Sequence, residues 1–297
     1  MSGPRAQFKN APLTHRVVRA CVSRLPRGRG RSARWLSHIL SAPFVDLVAP
    51  HDLGVRLVID PGDPYQLEMW LGAYQPHVVS FLRRAVKPGS RVLCAGLHVG
   101  YVASLARKLA GPTGVVLTAE PDEAARDRAA INLALATQDA FAPIHVLPGG
   151  LSDETTELQL YRSAVLGHSS FAAPHEGKSI ETVPLRRGDD WLRQLGVREL
   201  DVLVLDVEGW ELHVLRGLEE VIANSPGLSA LIEVSEWALR DAGSTRAALF
   251  DHLAQRGFDM RWAAQVSPVA PLGVWGASIA DAREAEGDLL CVRHEIH

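Results

Sequence analysis

Three short stretches of this 297-residue chain carry residue types able to do chemistry, and each follows an apolar run. Cys94-Ala95-Gly96-Leu97-His98-Val99-Gly100 has glycines four apart. A missing Cβ there lets backbone approach a ligand, and a helix starting at its end offers free N–H groups. Ala119-Glu120-Pro121 places a carboxylate 20 residues beyond Gly100, the separation at which nucleotide-binding folds hold a ribose diol. Asp206-Val207-Glu208-Gly209-Trp210-Glu211 gathers three carboxylates. Helix starts favour acids in any case, so Glu208 and Glu211 also read as caps. Asp206 lies directly on the ligand edge, where a carboxylate can take a proton from a reacting group.

The elements that must position these residues follow from periodicity. Apolar runs at 91–94, 115–119, 144–147 and 202–205 read as buried strands, and 55–59, 157–161, 180–185, 230–234 and 288–292 as further strands. The spacing predicts helices over 76–86, from Val99 to Leu109, from a cap at Asp122 to about 136, and over 189–195, 210–223 and 244–256. Such alternation argues for an α/β fold, a doubly wound Rossmann-like sheet with helices on both faces. Ligands of these sheets bind beyond the carboxyl ends of the strands. Dinucleotide folds ask for G-x-G-x-x-G, whereas only Gly96 and Gly100 are present, so the turn suits S-adenosylmethionine better than a nicotinamide.

A composition of 47% hydrophobic and 22% charged residues excludes collagen, coiled coil and wholesale disorder. Residues 1–45 hold nine Lys and Arg and no acid, leaving 22 basic against 34 acidic residues in the remainder. The reading is a basic helical extension over 1–45 and one domain over 46–297. In the extension Val17, Val18, Cys21, Val22 and Leu25, then Trp35, Leu36, Ile39 and Leu40, recur at helical spacing. Two amphipathic helices docking on the acidic body are expected ahead of a targeting signal or weak contact with an anionic membrane surface. Cys21, Cys94 and Cys291 show neither metal nor redox spacing and suit a reducing cytoplasm. No apolar run reaches the roughly 18 residues of a membrane span. Hydrolase chemistry lacks its Gly-x-Ser-x-Gly elbow or His-Glu-x-x-His helix, and an acidic body speaks against nucleic acid as a partner.

In order, these stretches resemble the FkbM family of S-adenosylmethionine-dependent methyltransferases. The family's Tyr-Glu-Pro element, Asp-x-Gly-Ala-Asn-x-Gly turn, Glu-Pro pair, Ser-Ser element and Asp-x-Glu-Gly-x-Glu signature correspond to Tyr74-Gln75-Pro76, residues 94–100, Glu120-Pro121, Ser169-Ser170 and residues 206–211. The similarity spans residues 55 to 293. It implies a class I fold with a seven-stranded sheet, mostly parallel with one antiparallel strand near the C-terminus. It also implies S-adenosylmethionine as cofactor and O-methylation of a small acceptor, a sugar, polyketide or other natural product. By the resemblance Tyr74, Gly96, His98, Gly100, Tyr101, Glu120, Pro121, Gly150, Leu151 and Asp206 hold the cofactor.

Methylating an alcohol needs a base within hydrogen-bond reach of the hydroxyl. Asp206 is the first candidate and His168, on a polar loop, the second. Glu208, Glu233, Glu236 and Trp237 are expected to line the acceptor pocket, and residues 265–287 to form a loop or lid over it, with Trp275 as an aromatic wall. Asp206, Glu208, Glu211 and His213 are ligand types, but helical spacing turns His213 away from Glu208 and Glu211, and no metal is expected. A homodimer is left open. Cys94 stands where the family has Asp, His98 where it has Asn and Gln75 where it has Glu. A lost charge-assisted hydrogen bond costs about 1.5–3 kcal/mol. These departures keep two alternatives in view: S-adenosylmethionine chemistry other than methylation, and a non-catalytic scaffold.

Overall fold

A computed structural model of the chain describes residues 8–22, 24, 29–40, 42–135, 140–163, 169–171, 179–263, 277–278 and 286–293. Two helices, Leu13–Val22 and Arg29–Leu36, precede an antiparallel hairpin of β1 (Phe44–Leu47) and β2 (Arg56–Ile59). The Arg19 guanidinium pairs with Asp46 at 2.8 Å and donates to the Leu47 carbonyl at 3.1 Å, tying the first helix to the hairpin. Ala33 and Leu36 of the second helix are buried in the same apolar cluster as Phe44 and Leu57.

The strands β3 (Arg91–Ala95), β4 (Val115–Ala119) and β5 (Ile144–Leu147) come next, followed by β6 (Gly150–Ser152), β7 (Thr156–Tyr161) and β8 (Ile180–Arg187). The last are β9 (Val202–Leu205), β10 (Ser229–Ser235), β11 (Phe258–Trp262), β12 (Ala277–Ser278) and β13 (Glu286–Arg293). One sheet of eight strands has the order β12-β11-β13-β10-β9-β3-β4-β5. Its block from β10 to β5 is parallel, and β13 enters antiparallel between β10 and β11. This is the expected doubly wound sheet, with the two-residue β12 added at one edge.

Burial explains the order. Every residue of β9 is buried, as befits a central strand covered on both faces. Successive side chains of β3 enter different cores. Val92 and Cys94 join helices Pro64–Leu71, Pro76–Ala85 and Tyr101–Ala110, while Leu93 and Ala95 join Gly188–Gln194, Glu211–Gly217 and Arg246–Gln255.

Two expectations change. β7 and β8 stay out of the main sheet and form a second one with β6, in the order β6-β8-β7. Their alternating exposure is that of an antiparallel pair with one wet face. The helix expected over 210–223 is two, Glu211–Gly217 and Glu219–Ala223. The buried Asp189 carboxylate accepts the N–H groups of Glu220 and Val221, each at 3.0 Å, which caps a fresh helix start. Among the described residues no helix is long and apolar enough to cross a membrane. The loop or lid expected over 265–287, Trp275 included, lies outside the described residues apart from 277–278 and 286–287.

Candidate active site

A cavity of about 280 Å³ opens where β3, β4, β9 and β10 end. Gly96, Glu120 and Asp206 directly follow β3, β4 and β9. Glu233 stands level with Asp206, because Ile232 pairs with Leu205 one step earlier.

Gly96 has a φ of 88°, and a Cβ on it would lie 2.0 Å from the Asp206 carbonyl oxygen. Asp206 in turn donates its N–H to the Ala95 carbonyl at 3.1 Å, so the ends of β3 and β9 abut. Glu120, only 7% exposed, braces this turn. Its Oε2 accepts the N–H groups of Leu97 at 3.0 Å and His98 at 3.3 Å, and its Oε1 that of Asp122 at 3.0 Å. Burial pushes its carboxyl above the usual range, against these three bonds. An ionised carboxylate has about four acceptor sites, so one remains for a ligand hydroxyl.

Buried Asn132 anchors the turn from below, donating to the Val99 carbonyl at 2.7 Å and accepting the Val58 N–H at 2.8 Å. Asn132→Leu strands both groups, and an unsatisfied buried polar group costs about 1–3 kcal/mol. The expected result is a fall of about 2–6 kcal/mol in unfolding free energy by urea titration, with weakened cofactor binding.

The acids at the other end of the cavity act on one another. The charge of Asp206 first, then burial, then the charges of Glu208, Glu211 and Asp288 push the Glu233 carboxyl far above the carboxylate range. Two carboxyls so placed hold one proton between them. Burial, then Asp206 and Glu233, raise the Tyr74 hydroxyl as well.

Glu211 lies behind this wall. Its Oε1 accepts the N–H groups of Val207 and Gly209, each at 3.2 Å, while Oε2 is buried with no hydrogen-bond partner. Burial pushes its carboxyl up to about 7 from 4.5. The folded state therefore holds this proton more tightly than the unfolded chain does. The associated stability is fully present below pH 4.5 and is lost as pH rises through about 7. Glu211→Gln keeps the accepting oxygen and removes the titration. Urea unfolding between about pH 5 and pH 8 should show the variant gaining on the wild type by about 3 kcal/mol.

Three non-glycine residues among those described have left-handed backbone, Gln75 (φ 36°), His98 (φ 48°) and Glu208 (φ 53°), and all three line the cavity. Backbone of this kind concentrates at functional sites. The Trp210 ring stacks on His213 at 4.0 Å, lies 5.2 Å from Phe171 and donates to the Ser152 hydroxyl at 3.3 Å.

Of the residues expected at the site, Tyr74, Gly96, His98, Glu120, Pro121, Gly150, Leu151, Asp206, Glu208 and Glu233 line the cavity. Gly100 instead precedes helix Tyr101–Ala110 with its Cα facing Ala129, and the Tyr101 hydroxyl donates to the Ala49 carbonyl at 2.6 Å beside a smaller cavity. Both serve packing. Glu236 and Trp237 also stand elsewhere. Glu236 opens helix Glu236–Asp241, where it pairs with Arg240 at 2.7 Å and accepts the Arg246 N–H at 3.1 Å, and Trp237 is 62% exposed. The turn into that helix directs both away from the cavity. His168 lies outside the described residues. Cys94 faces the core, its thiol pushed up to about 12 by burial, and fills space. His213 pairs with Asp153 rather than with the acids, and no metal-holding group of three or more His, Cys, Asp and Glu exists among the described residues.

Tyr65, Glu68, Asp122, Phe171 and Trp210 also line the cavity without having been expected there. The signal for the first two was Asp63-Pro64, a cap followed by proline at a helix start. Asp63 indeed accepts the Tyr65 N–H at 2.8 Å and opens helix Pro64–Leu71.

The cavity fits S-adenosylmethionine. A buried carboxylate with a free acceptor site meets a diol, the bare Gly96 turn admits close backbone approach, and a negative, ring-lined wall suits a sulfonium and an ammonium. The model of the methyltransferase FkbM domain matches residues 95–260. Among curated proteins none matches the chain. Solved structures similar to it include cofactor-bound Rv0187 from MTB, at 15% identity over 96% of this chain and 100% of that one with a TM-score of 0.43. The O-methyltransferase TomG of Streptomyces achromogenes, involved in tomaymycin synthesis and in complex with S-adenosylmethionine, is 15% identical over 96% and 100%, with a TM-score of 0.42. An O-methyltransferase of Bacillus cereus in complex with S-adenosylhomocysteine is 12% identical over 93% and 96%, with a TM-score of 0.39. With more than half of its length matched by the family model, the chain belongs to the FkbM family of S-adenosylmethionine-dependent methyltransferases.

Proposed function

We propose that this methyltransferase acts on a hydroxyl oxygen of a small metabolite, a sugar, polyketide or other natural product. The observation that carries this reading is the carboxyl pair of Asp206 and Glu233 at one end of the cavity, a base ready for a hydroxyl proton. S-adenosylmethionine supplies an electrophilic methyl group on a positively charged sulfur. Glu120, Gly96, Pro121, Gly150 and Leu151 bind and orient it, with Tyr74 and His98 beside them. Asp206 would take the proton of the acceptor hydroxyl as that oxygen is methylated. Positioning supplies much of the remaining rate, because the displacement needs its atoms close and in line. Glu208 and Glu233 face the acceptor, and His168 is the second candidate base.

The proposal includes the division into a basic arm over 1–45 and a methyltransferase domain over 46–297. It also includes a cytoplasmic setting, in keeping with three free cysteines. The test incubates the protein with methyl-labelled S-adenosylmethionine and a panel of sugars and hydroxylated polyketides, followed by mass spectrometry. An alkali-stable methyl ether on a product is the expected outcome. A base-labile methyl ester, an N-methyl product or a labelled fragment other than methyl would overturn it.

A further inference from the structure

Both helices of the basic arm have an inner and an outer face. On helix Leu13–Val22 the inner residues are His15, Val18, Arg19 and Val22. The His15 ring lies 4.9 Å from Phe44, Arg19 pairs with Asp46, and the two valines pack on the core. On the outer face Leu13, Val17 and Cys21 recur every fourth residue, all exposed, with the exposed Arg16 and Ala20 beside them. Leu13 is 76% exposed. Helix Arg29–Leu36 repeats the arrangement. Its Ala33 and Leu36 are buried, whereas Arg31, Trp35 at 63% exposure and Ile39 in the following turn, again four apart, face solvent. Both helices rest on helix Pro64–Leu71, which brings their outer rows onto neighbouring surface.

Of the eight large apolar side chains exposed among the described residues, four, Leu13, Val17, Trp35 and Ile39, belong to this arm. Such clustering differs from the scattered single exposures of an ordinary surface. Charge then decides what covers the face. Residues 1–45 hold nine Lys and Arg and no acid, and the exposed Arg16, Arg24 and Arg31 form no salt bridge among the described residues. A symmetric contact with a second copy would set one acid-free basic face against another, and the two repel. Nucleic acid would neutralise the arginines but offers little to exposed Leu, Val and Ile side chains. An anionic bilayer surface takes both kinds of group: aliphatic side chains and Trp enter the headgroup region while Arg reaches the charged lipid heads.

We propose that the outer faces of helices Leu13–Val22 and Arg29–Leu36 form a docking surface for an anionic phospholipid membrane. The attachment is peripheral, since no helix among the described residues is long and apolar enough to cross a bilayer. Apolar insertion and charge attraction act together, and neither alone gives more than weak, reversible binding. Helix Pro64–Leu71, on which the arm rests, also supplies Tyr65 and Glu68 to the cavity. One helix therefore separates the docking surface from the active site.

The test is flotation of the intact chain with vesicles of phosphatidylcholine alone and of phosphatidylcholine with about 30% phosphatidylglycerol, at about 0.1 M and about 0.5 M salt. Partitioning onto the anionic vesicles should be at least about tenfold stronger than onto the neutral ones at low salt, and most of it should disappear at high salt. Leu13→Ser with Trp35→Ser, and separately Arg16→Glu with Arg31→Glu, should each weaken partitioning by about tenfold or more. All four side chains are exposed, so Tm and S-adenosylhomocysteine binding should stay at their wild-type values, which separates lost docking from lost folding. Equal flotation with both kinds of vesicle, or variants that float like the wild type, would overturn the proposal. Absence of flotation with anionic vesicles would overturn it too, and duplex DNA retained through the same arginines, or a dimer dissolved by the apolar substitutions, would then name the occupant instead.

Discussion

Asp206→Asn should lower kcat by about a hundred- to ten-thousand-fold, the usual loss when a general base is removed, with the KM for the acceptor changed far less. Asparagine has nearly the same shape and can still donate its backbone N–H to Ala95, so the junction of β3 and β9 survives. What disappears is the acceptor for the hydroxyl proton. The same substitution removes the largest cause of the raised Glu233 carboxyl, the negative charge of Asp206. Glu233 in the variant therefore ionises at lower pH than in the wild type. The residual activity should then follow a pH profile whose acid limb reports Glu233 alone, where the wild type reports the pair. Steady-state kinetics across pH measures both effects. A kcat within about threefold of wild type would remove Asp206 from the base role.

Gly96→Ala should have an effect of similar size by another route. The left-handed backbone there costs an alanine about 1–2 kcal/mol, but the larger problem is the Asp206 carbonyl oxygen, 2.0 Å from where the Cβ would sit. That oxygen belongs to backbone held between two central strands, so it cannot swing aside as a side chain could. Relief requires parting the ends of β3 and β9, which shifts Asp206 and loosens the turn that Glu120 holds. Cofactor binding and turnover should both be lost, with a lowered Tm. Gly196→Ala is the matched control. Its φ of 73° is also left-handed, yet nothing lies within 4 Å of the added Cβ. It should cost about 1–2 kcal/mol of stability and leave binding unchanged. If Gly96→Ala binds S-adenosylhomocysteine like the control, the close contact of the two strand ends is not essential to the site.

The frame of the fold was legible because central parallel strands are buried on both faces and announce themselves as continuous apolar runs. β4 and β9 sit where the pattern put them, and Asp122 caps its helix by accepting the Ala124 N–H at 2.9 Å. Strand ends then locate a ligand edge without further information, which is why Glu120, Asp206 and Glu233 come together. The second sheet was not legible, because an alternating pattern says that one face is wet without saying which sheet the strand joins. Leu218 splits a helix whose apolar spacing runs on unbroken, and the cause, Asp189, is about thirty residues away in the chain.

Glu236 and Trp237 show how a near miss arises. They lie just past Glu233, but Ser235 caps a new helix by accepting the Ala238 N–H and turns the chain outward. Tyr65 and Glu68 reach the cavity from a helix more than a hundred residues before Asp206, a juxtaposition that only tertiary packing creates. Gly100 carries the right residue type in the right turn, yet a Cβ on it would meet Ala129, 3.4 Å away, rather than the cavity.

The central claim, that this cavity is the cofactor site, is tested most directly by calorimetric titration of the wild type and Glu120→Ala with S-adenosylhomocysteine, each checked for folding by thermal unfolding. Glu120 joins the turn at Leu97 and His98 to β4 and has an acceptor site left for a ligand hydroxyl, so losing it removes several hydrogen bonds to a charged group, each worth about 1.5–3 kcal/mol. Micromolar binding by the wild type and a loss of at least about a hundredfold in the still-folded variant are predicted. Binding of equal strength by both proteins, or no heat from the wild type at millimolar ligand, would contradict the account.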